Sequence, residues 1–231
     1  MRIRVLLSML LVQACATSHN PYALHYEPEP EAPKPEPAAQ RAVVMIVGAH
    51  RFESQTESML RGGWVALGSS GFNAPVKTVT TEQLREQARE VHAQAVLLGY
   101  ALTNTENGPV GADSTYRPPP GPLDTVTRAD YTAMFFVQRP LPVGLYFDTV
   151  DDTTRSRLNV AFAEAIRLVV AGSPADKAGL KRGDIVLRID GAPVTRYFEY
   201  DEFIDQRRGR RMEFLIDRAG REMRKIVDVM P

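Results

Sequence analysis

The stretch of sequence that most constrains the fold of this chain is GSPADKAGLKRGDIVLRIDG, at residues 172–191. Ser173 followed by proline is a common start of a short helix, and Gly179 is placed to end that helix in the left-handed conformation. A turn with Gly183 at a position that requires positive φ, the apolar strand IVLRI and an Asp-Gly turn come next. The stretch therefore specifies backbone geometry closely, while it carries few side chains suited to catalysis.

The order of this helix, these turns and this strand resembles the PDZ domain, especially the form found in bacterial envelope proteins. The matching residues are Gly172, Ser173, Pro174, Ala175, Ala178, Gly179, Leu180, Gly183, Asp184, Ile185, Asp190, Gly191 and Val194. The resemblance extends over residues 141–231, with a hairpin predicted at the C-terminal end. It implies an α+β fold in which a partly open β-barrel is capped by helices, and it implies a function in binding peptides.

A PDZ domain binds its peptide as an added strand, so the resemblance implies a groove beside the segment PVGLYFDTV, residues 142–150. The first amides of this segment are expected to bind the peptide's terminal carboxylate, with Gly144 allowing close approach. The segment RYFEYDEFIDQRR, residues 196–208, is expected to form the helix on the other side. For Phe203 and Ile204 the alternative is a place in the core. The predicted peptide-binding residues are Val143, Gly144, Leu145, Tyr146, Phe147, Tyr200, Phe203, Ile204 and Arg207.

Residues 1–15, MRIRVLLSMLLVQAC, have the order of an export signal, with Arg2 and Arg4 before a short apolar run. The run is too short to span a bilayer permanently as a helix. Its end at Cys15 resembles the lipobox of bacterial lipoproteins. This resemblance implies that Cys15 is acylated and anchors the protein in the cell envelope. The periplasmic face of the outer membrane is the expected place, and the inner membrane is the alternative. The alternative is ordinary secretion, since residues 14–16 also form an A-x-A cleavage site.

Residues 16–41 contain the segment EPEPEAPKPEPAAQ, in which proline recurs every two or three residues among glutamates. This composition favours an extended, semi-stiff chain without a core, so these residues are predicted to be a linker. The alternative is a proline-rich ligand for a groove. Because Cys15 is the only cysteine of the chain, the sequence excludes an internal disulfide and a zinc site built from cysteine pairs.

Residues 42–140 are predicted to form a small α+β module of unknown function. The segments AVVMIVGA, WVALGSSGF, AVLLGYAL and DYTAMFFVQ are predicted to be strands. The segments SQTESMLRGG and TEQLREQAREVHAQ are predicted to be helices, the second of which opens with a capping box of Thr80 and Gln83. Residues 104–124, rich in glycine and proline, are predicted to be a surface loop.

No set of residues in the sequence points to an enzyme. The segment GSSGF, residues 68–72, lacks the G-x-S-x-G spacing of a nucleophile elbow. His50 and His92 have no further ligand or carboxylate at metal-binding spacing, so no catalytic residue, metal or cofactor is predicted. The 28 basic and 28 acidic residues balance, which gives no net charge that would favour nucleic acid. The cluster RRGRR, residues 207–211, is interpreted as solvated surface.

Together these features predict a lipid-anchored scaffold or adaptor that binds protein C-termini or extended peptides. The alternative is an accessory regulator of an envelope protease or assembly machine, in which the module at residues 42–140 makes the main contact. Prolines at positions 140 and 142 favour an extended junction, so residues 141–231 are expected to fold alone. Neither the peptide ligand nor the oligomeric state follows from the sequence.

Overall fold

The computed structural model describes residues 20–29, 32, 42–103, 127–195 and 200–231. The predicted α+β class is confirmed, because these residues form two sheets with few helices. The elements of the first unit are α1 (Pro21–Leu24), β1 (Tyr26–Pro28), β2 (Val43–Gly48), α2 (Ala49–Arg61), β3 (Trp64–Pro75), α3 (Thr81–Glu90), β4 (Ala95–Thr103) and β5 (Arg128–Gln138). The elements of the second unit are β6 (Leu145–Thr149), α4 (Asp152–Leu158), β7 (Glu164–Val169), α5 (Pro174–Lys177), β8 (Ile185–Ile189), β9 (Ala192–Pro193), α6 (Tyr200–Asp205), β10 (Arg211–Arg218) and β11 (Arg221–Asp228).

The first unit is a five-stranded sheet in the order β1-β3-β5-β4-β2. The strands β2 and β4 run parallel, and the other neighbouring strands are antiparallel. Alternate residues of β4 face opposite sides of the sheet, so Val96 packs in the cluster with α3 while Leu97 packs in the cluster with α2. The predicted capping box opens α3, where the Gln83 amide donates to the Thr80 hydroxyl at 3.2 Å. Helices therefore cover both faces of this sheet.

Residues 20–28 belong to the first unit, although the sequence predicted that they are part of the linker. The Asn20 side chain caps α1 by accepting from the Tyr22 amide at 3.0 Å, and β1 pairs with β3. Tyr22 is 1% exposed and meets the Phe72 ring edge-on at 5.0 Å. The prediction was wrong here because it treated residues 20–28 like the proline-rich segment that follows them. Residues 20–28 contain aromatic side chains, and Tyr22 is buried in the core of the first unit.

Several predicted segments lie outside the described residues. These are the signal segment with Cys15, most of the proline-rich stretch, and the predicted loop at residues 104–124. Within the part of the chain that the structure describes, no helix combines the length and the apolar character needed to cross a bilayer.

The second unit is a six-stranded sheet in the order β11-β10-β8-β7-β6, with β9 paired to β8. Its most constrained stretch forms the predicted corner, in which the Ser173 hydroxyl caps α5 by accepting from the Asp176 amide at 3.3 Å. Gly179 adopts the expected positive φ, +72°. The corner is tied to β10 by Asp184, which is 1% exposed and accepts two hydrogen bonds from the Arg218 guanidinium, at 2.6 and 2.8 Å.

The two units share a buried apolar cluster, which is called the shared cluster below. Its buried members are Met59, Leu60, Ala95, Leu97, Phe136, Leu168 and Val170. The last two belong to the second unit, and Leu168 is 1% exposed in this arrangement. Separating the units would expose these side chains to water. Residues 141–231 are therefore expected to be less stable alone than within the full chain. The prediction of independent folding, which rested on the prolines of the junction, did not include this contact.

Candidate peptide-binding groove

The groove lies between β6 and α6. Among the described strands β6 pairs with β7 alone, so its other edge is free. This edge borders a cavity of about 790 Å³ that is lined on its other side by Tyr200 and Ile204 of α6. A free strand edge can add a further strand by backbone hydrogen bonds. The geometry therefore suits an extended peptide laid between the strand and the helix.

The segment that leads into β6, residues 142–145, is called the carboxylate loop. Its carbonyl groups at Pro142, Val143 and Gly144 accept hydrogen bonds of 3.0 Å each from the amides of Met230, Ala175 and Val170. Among the described residues, no hydrogen bond donated by the Val143 or Gly144 amide is found. The scaffold thus holds the three carbonyl groups in place. The consecutive amides of Val143 and Gly144, of which Gly144 is in the left-handed conformation, remain available to bind an anion.

Gly144 is required by the fold itself. Its φ is +82°, and a Cβ built on it would lie 2.3 Å from the Ser173 Cβ and 3.3 Å from the Val170 Cβ. The sequence-based prediction attributed this glycine to the close approach of a ligand. The structure gives a different reason for the glycine. The corner that contains Ser173 occupies the space that a side chain at position 144 would need. A residue with a side chain here would move the loop.

The apolar walls of the groove come from both sides. Leu145 and Phe147 are half-buried and pack against the core of the second unit, as does Ile204 from α6. The rings of Phe147 and Tyr200 stack at 4.5 Å between centroids and 27° between planes, which joins β6 to α6 directly. Burial raises the pKa of the Tyr200 hydroxyl well above its ordinary value, and the neighbouring Glu164 carboxylate raises it further. The hydroxyl therefore stays neutral across the physiological pH range.

Tyr146 borders the cavity but packs against the first unit. Its ring belongs to the shared cluster, and its hydroxyl donates to the Trp64 carbonyl at 3.4 Å. The Arg167 guanidinium lies 5.6 Å from the ring centroid. Burial raises the pKa of Tyr146, an effect that Arg167 and Arg139 oppose. Because neighbouring side chains of a strand point to opposite faces, this residue of the predicted site mainly serves the contact between units.

Phe203 and Arg207 do not line the cavity, although the sequence-based prediction included them in the site. The Arg207 guanidinium lies 3.2 Å from the Phe203 ring centroid and pairs with the Asp190 carboxylate at 2.6 Å. Phe203 packs against the core of the second unit. The two residues share a face of the helix because they are four positions apart. That face is turned away from the groove.

Charged residues that the sequence-based prediction did not select surround the groove. They are Glu29, Arg139, Glu164, Arg167, Asp205 and Arg208. Arg208 follows Tyr200 and Ile204 at steps of four residues, so helical periodicity would have selected it in place of its neighbour Arg207. Glu29 directly follows β1 in the first unit, and no local pattern in the sequence links it to the groove.

The described histidines and the buried carboxylates of Asp184 and Asp217 lie outside the groove. No group of three or more His, Cys, Asp or Glu side chains among them could hold a metal ion. Neither His50 nor His92 lines the groove. The buried carboxylates of Asp184 and Asp217 pair with Arg218 and Arg157, at 2.6 and 3.2 Å, and hold the corner and the last hairpin in place.

Comparison with known proteins identifies the second unit. Residues 166–218 match the family model described as PDZ domain. The Do-like 14 protein of Arabidopsis thaliana, whose name describes it as a protease, is 44% identical over 63 residues, which are 27% of this chain and 13% of that protein. The regulator of sigma-E protease RseP of Salmonella typhimurium is 36% identical over 52 residues, which are 22% of this chain and 12% of that protein.

Among solved structures, the PDZ domain of HtrA3 bound to a phage-derived ligand is similar. It has 17% sequence identity and a TM-score of 0.32, and the match covers 37% of this chain and 81% of that chain. This chain spans less than a fifth of the curated relatives named above, so their activities do not transfer to it. The family match begins within β7, after the carboxylate loop and β6. Residues 166–218, in the C-terminal unit of this chain, thus form a PDZ domain.

Proposed function

We propose that this chain is a membrane-anchored adaptor of the bacterial cell envelope whose PDZ groove binds the C-termini of other proteins. The proposal rests on the geometry of the carboxylate loop, whose three consecutive carbonyl groups accept hydrogen bonds from amides elsewhere in the second unit. The Val143 and Gly144 amides are then the donors that a bound carboxylate would meet. An internal peptide segment would use the free edge of β6 and leave these amides unmatched, so a terminal carboxylate is the better ligand.

The residues that line the groove favour a role in binding over a role in catalysis. Its described lining residues include no serine, cysteine, lysine or histidine that could act as a nucleophile or be paired as a general base. Proteases are named among the relatives, but the matched part is too short to include a protease domain with its own catalytic residues. We infer a non-enzymatic role in which this protein brings a partner to the envelope.

Peptide selection on the full chain tests the proposal. Pentapeptides with free C-termini are selected from a displayed library, and the strongest binder is synthesised as the free acid and as the C-terminal amide. Because hydrogen bonds to a charged group contribute about 1.5–3 kcal/mol, the amide should bind about tenfold to a hundredfold more weakly in fluorescence anisotropy. Equal affinities for the two peptides would reject binding of a terminal carboxylate.

The anchor is a separate part of the proposal and rests on the sequence of residues 1–15. Cells supplied with labelled fatty acid should yield labelled protein in the membrane fraction, and the Cys15→Ser variant should lose the label. A single acyl chain holds a protein only weakly, so a stable anchor requires more than one chain. Unlabelled, wholly soluble wild-type protein would support ordinary secretion instead.

The second candidate function is that of an accessory regulator that contacts a protease or assembly machine through the first unit. It is favoured by β2, an edge strand among the described strands, which contains no charged residue. Val43 and Ile46 on this strand are 62% and 57% exposed. Such an edge invites pairing with another chain. If this contact is the main one, Ile46→Lys should abolish crosslinking to the partner in cells while peptide binding stays unchanged.

A further inference from the structure

The C-terminal end of α2 in the first unit packs against the residues that support the carboxylate loop. Met59 and Leu60 in its last turn pack with Leu168 and Val170 of the second unit. Val170 is the residue whose amide donates to the Gly144 carbonyl at 3.0 Å. Its Cβ also lies 3.3 Å from the position that a side chain on Gly144 would take. One residue therefore stands between the helix and the loop.

A backbone hydrogen bond reinforces this contact. The Ala171 amide donates to the Arg61 carbonyl at 2.9 Å. Carbonyl groups in the last turn of a helix have no partner within the helix, so the second unit supplies one here. A further amide shortly after it in the chain, at Ser173, donates to the Val170 carbonyl at 3.2 Å. The end of α2, residues 170–173 and the carboxylate loop are thus joined in a continuous series of short contacts.

Two further contacts join the units near this point. Glu57 of α2 accepts from the Arg182 guanidinium at 2.6 Å, and the Tyr146 hydroxyl reaches the Trp64 carbonyl at 3.4 Å. Arg182 lies in the corner and Tyr146 lies directly after the carboxylate loop. These contacts join the first unit to the corner and to the first residue after the carboxylate loop.

We propose that α2 of the first unit is a positioning element for the carboxylate loop, so that the first unit sets how strongly the PDZ groove binds a terminal carboxylate. This proposal rests on the proposed function of the groove. Amides bind an anion well only if their directions are fixed before binding, because ordering a mobile loop costs affinity. Residues that keep Val170 and Ala171 in place therefore act on the ligand through the loop, without touching it.

The test compares two Leu→Ala variants of the full chain. Leu60 lies in the contact, at 7% exposed, and Leu84 belongs to α3 on the opposite face of the same sheet, at 0% exposed. Both substitutions leave a cavity in the first unit, so both lower stability. The affinities of the selected pentapeptide as free acid and as amide are measured for wild type and each variant, at a temperature where all are folded by circular dichroism.

In Leu60→Ala we expect the affinity for the acid to fall about threefold to tenfold, because the loop must now be ordered on binding, while the affinity for the amide changes little. Leu84→Ala should keep the wild-type ratio of the two affinities. A charge reversal that leaves the core intact, Glu57→Lys, opposes Arg182 across the contact and should lower the acid-to-amide ratio in the same direction. It replaces Leu60→Ala if that variant does not fold.

The outcomes separate this proposal from the function on which it rests. A wild-type protein that prefers the acid, together with an unchanged ratio in Leu60→Ala and Glu57→Lys, would overturn the positioning role and leave the carboxylate function standing. A ratio that falls equally in Leu84→Ala would also overturn it, since general loosening would then explain the loss. A wild-type protein without preference for the acid would reject the carboxylate function and this proposal together.

Discussion

The two walls of the groove are held in place by different kinds of contact. The carboxylate loop is fixed by backbone hydrogen bonds from Ala175, Val170 and Met230. The helix α6 is six residues long and is joined to β6 by the stack of Phe147 on Tyr200. The backbone wall recognises a group that every protein C-terminus carries, while the side-chain wall meets the residues that differ between peptides. General affinity and selectivity should therefore respond to different substitutions.

The largest expected effect is on the backbone wall. Gly144→Val forces a branched residue into positive φ, which costs about 1–2 kcal/mol, and overpacks Ser173, which costs about 1–3 kcal/mol. The free energy of unfolding should fall by about 2–5 kcal/mol in denaturant titrations. Gly172→Val is the matched control, because Gly172 has a φ of +72° and a Cβ added to it would meet no atom within 4 Å outside its chain neighbours. A loss as large at Gly172 would mean that backbone strain alone explains the effect.

A smaller effect is expected on the side-chain wall. Tyr200→Ala removes the stack with Phe147 and should lower the free energy of unfolding by about 1–2 kcal/mol, while Tyr200→Phe keeps the ring and the stack. Repeating the peptide selection on the alanine variant should yield different side chains. The preference for the acid over the amide should persist, because the carboxylate loop is untouched. A lost preference would contradict the division of tasks between the two walls.

The smallest effects are expected for Arg207 and Arg208, which follow α6 and should differ in what they contribute. Arg207→Ala breaks the pair with Asp190 and the contact with the Phe203 ring, so stability should fall by about 0.5–1 kcal/mol with peptide affinity unchanged. Arg208→Ala should leave stability within about 0.5 kcal/mol, because its pair with Asp205 is exposed. It should instead weaken peptides with acidic side chains about twofold to fivefold, less so at high salt. The reverse pattern would show that Arg207 faces the ligand.

The residues of the groove differ in how far the sequence could predict them. Gly144, Leu145 and Phe147 are neighbours in one segment, and the segment's position before β7 follows from the order of a PDZ domain. The helix residues depend on which face turns to the strand. The sequence-based prediction combined Tyr200 and Ile204 from one face with Phe203 and Arg207 from another. Helical periodicity defines the faces, but the choice between them is made by packing against residues far away in the chain.

Local sequence is sufficient to specify the corner at residues 172–191, because positive φ, helix caps and tight turns depend on neighbouring residues. It also determined the alternation of apolar residues in the strands and the capping box of α3. The packing of the folded chain, and no local pattern, places Tyr22 in the core of the first unit and Tyr146 next to Trp64. It alone brought the Arg61 carbonyl to Ala171. Such contacts join residues far apart in the chain, and no local propensity encodes which distant surface a side chain or helix end will meet.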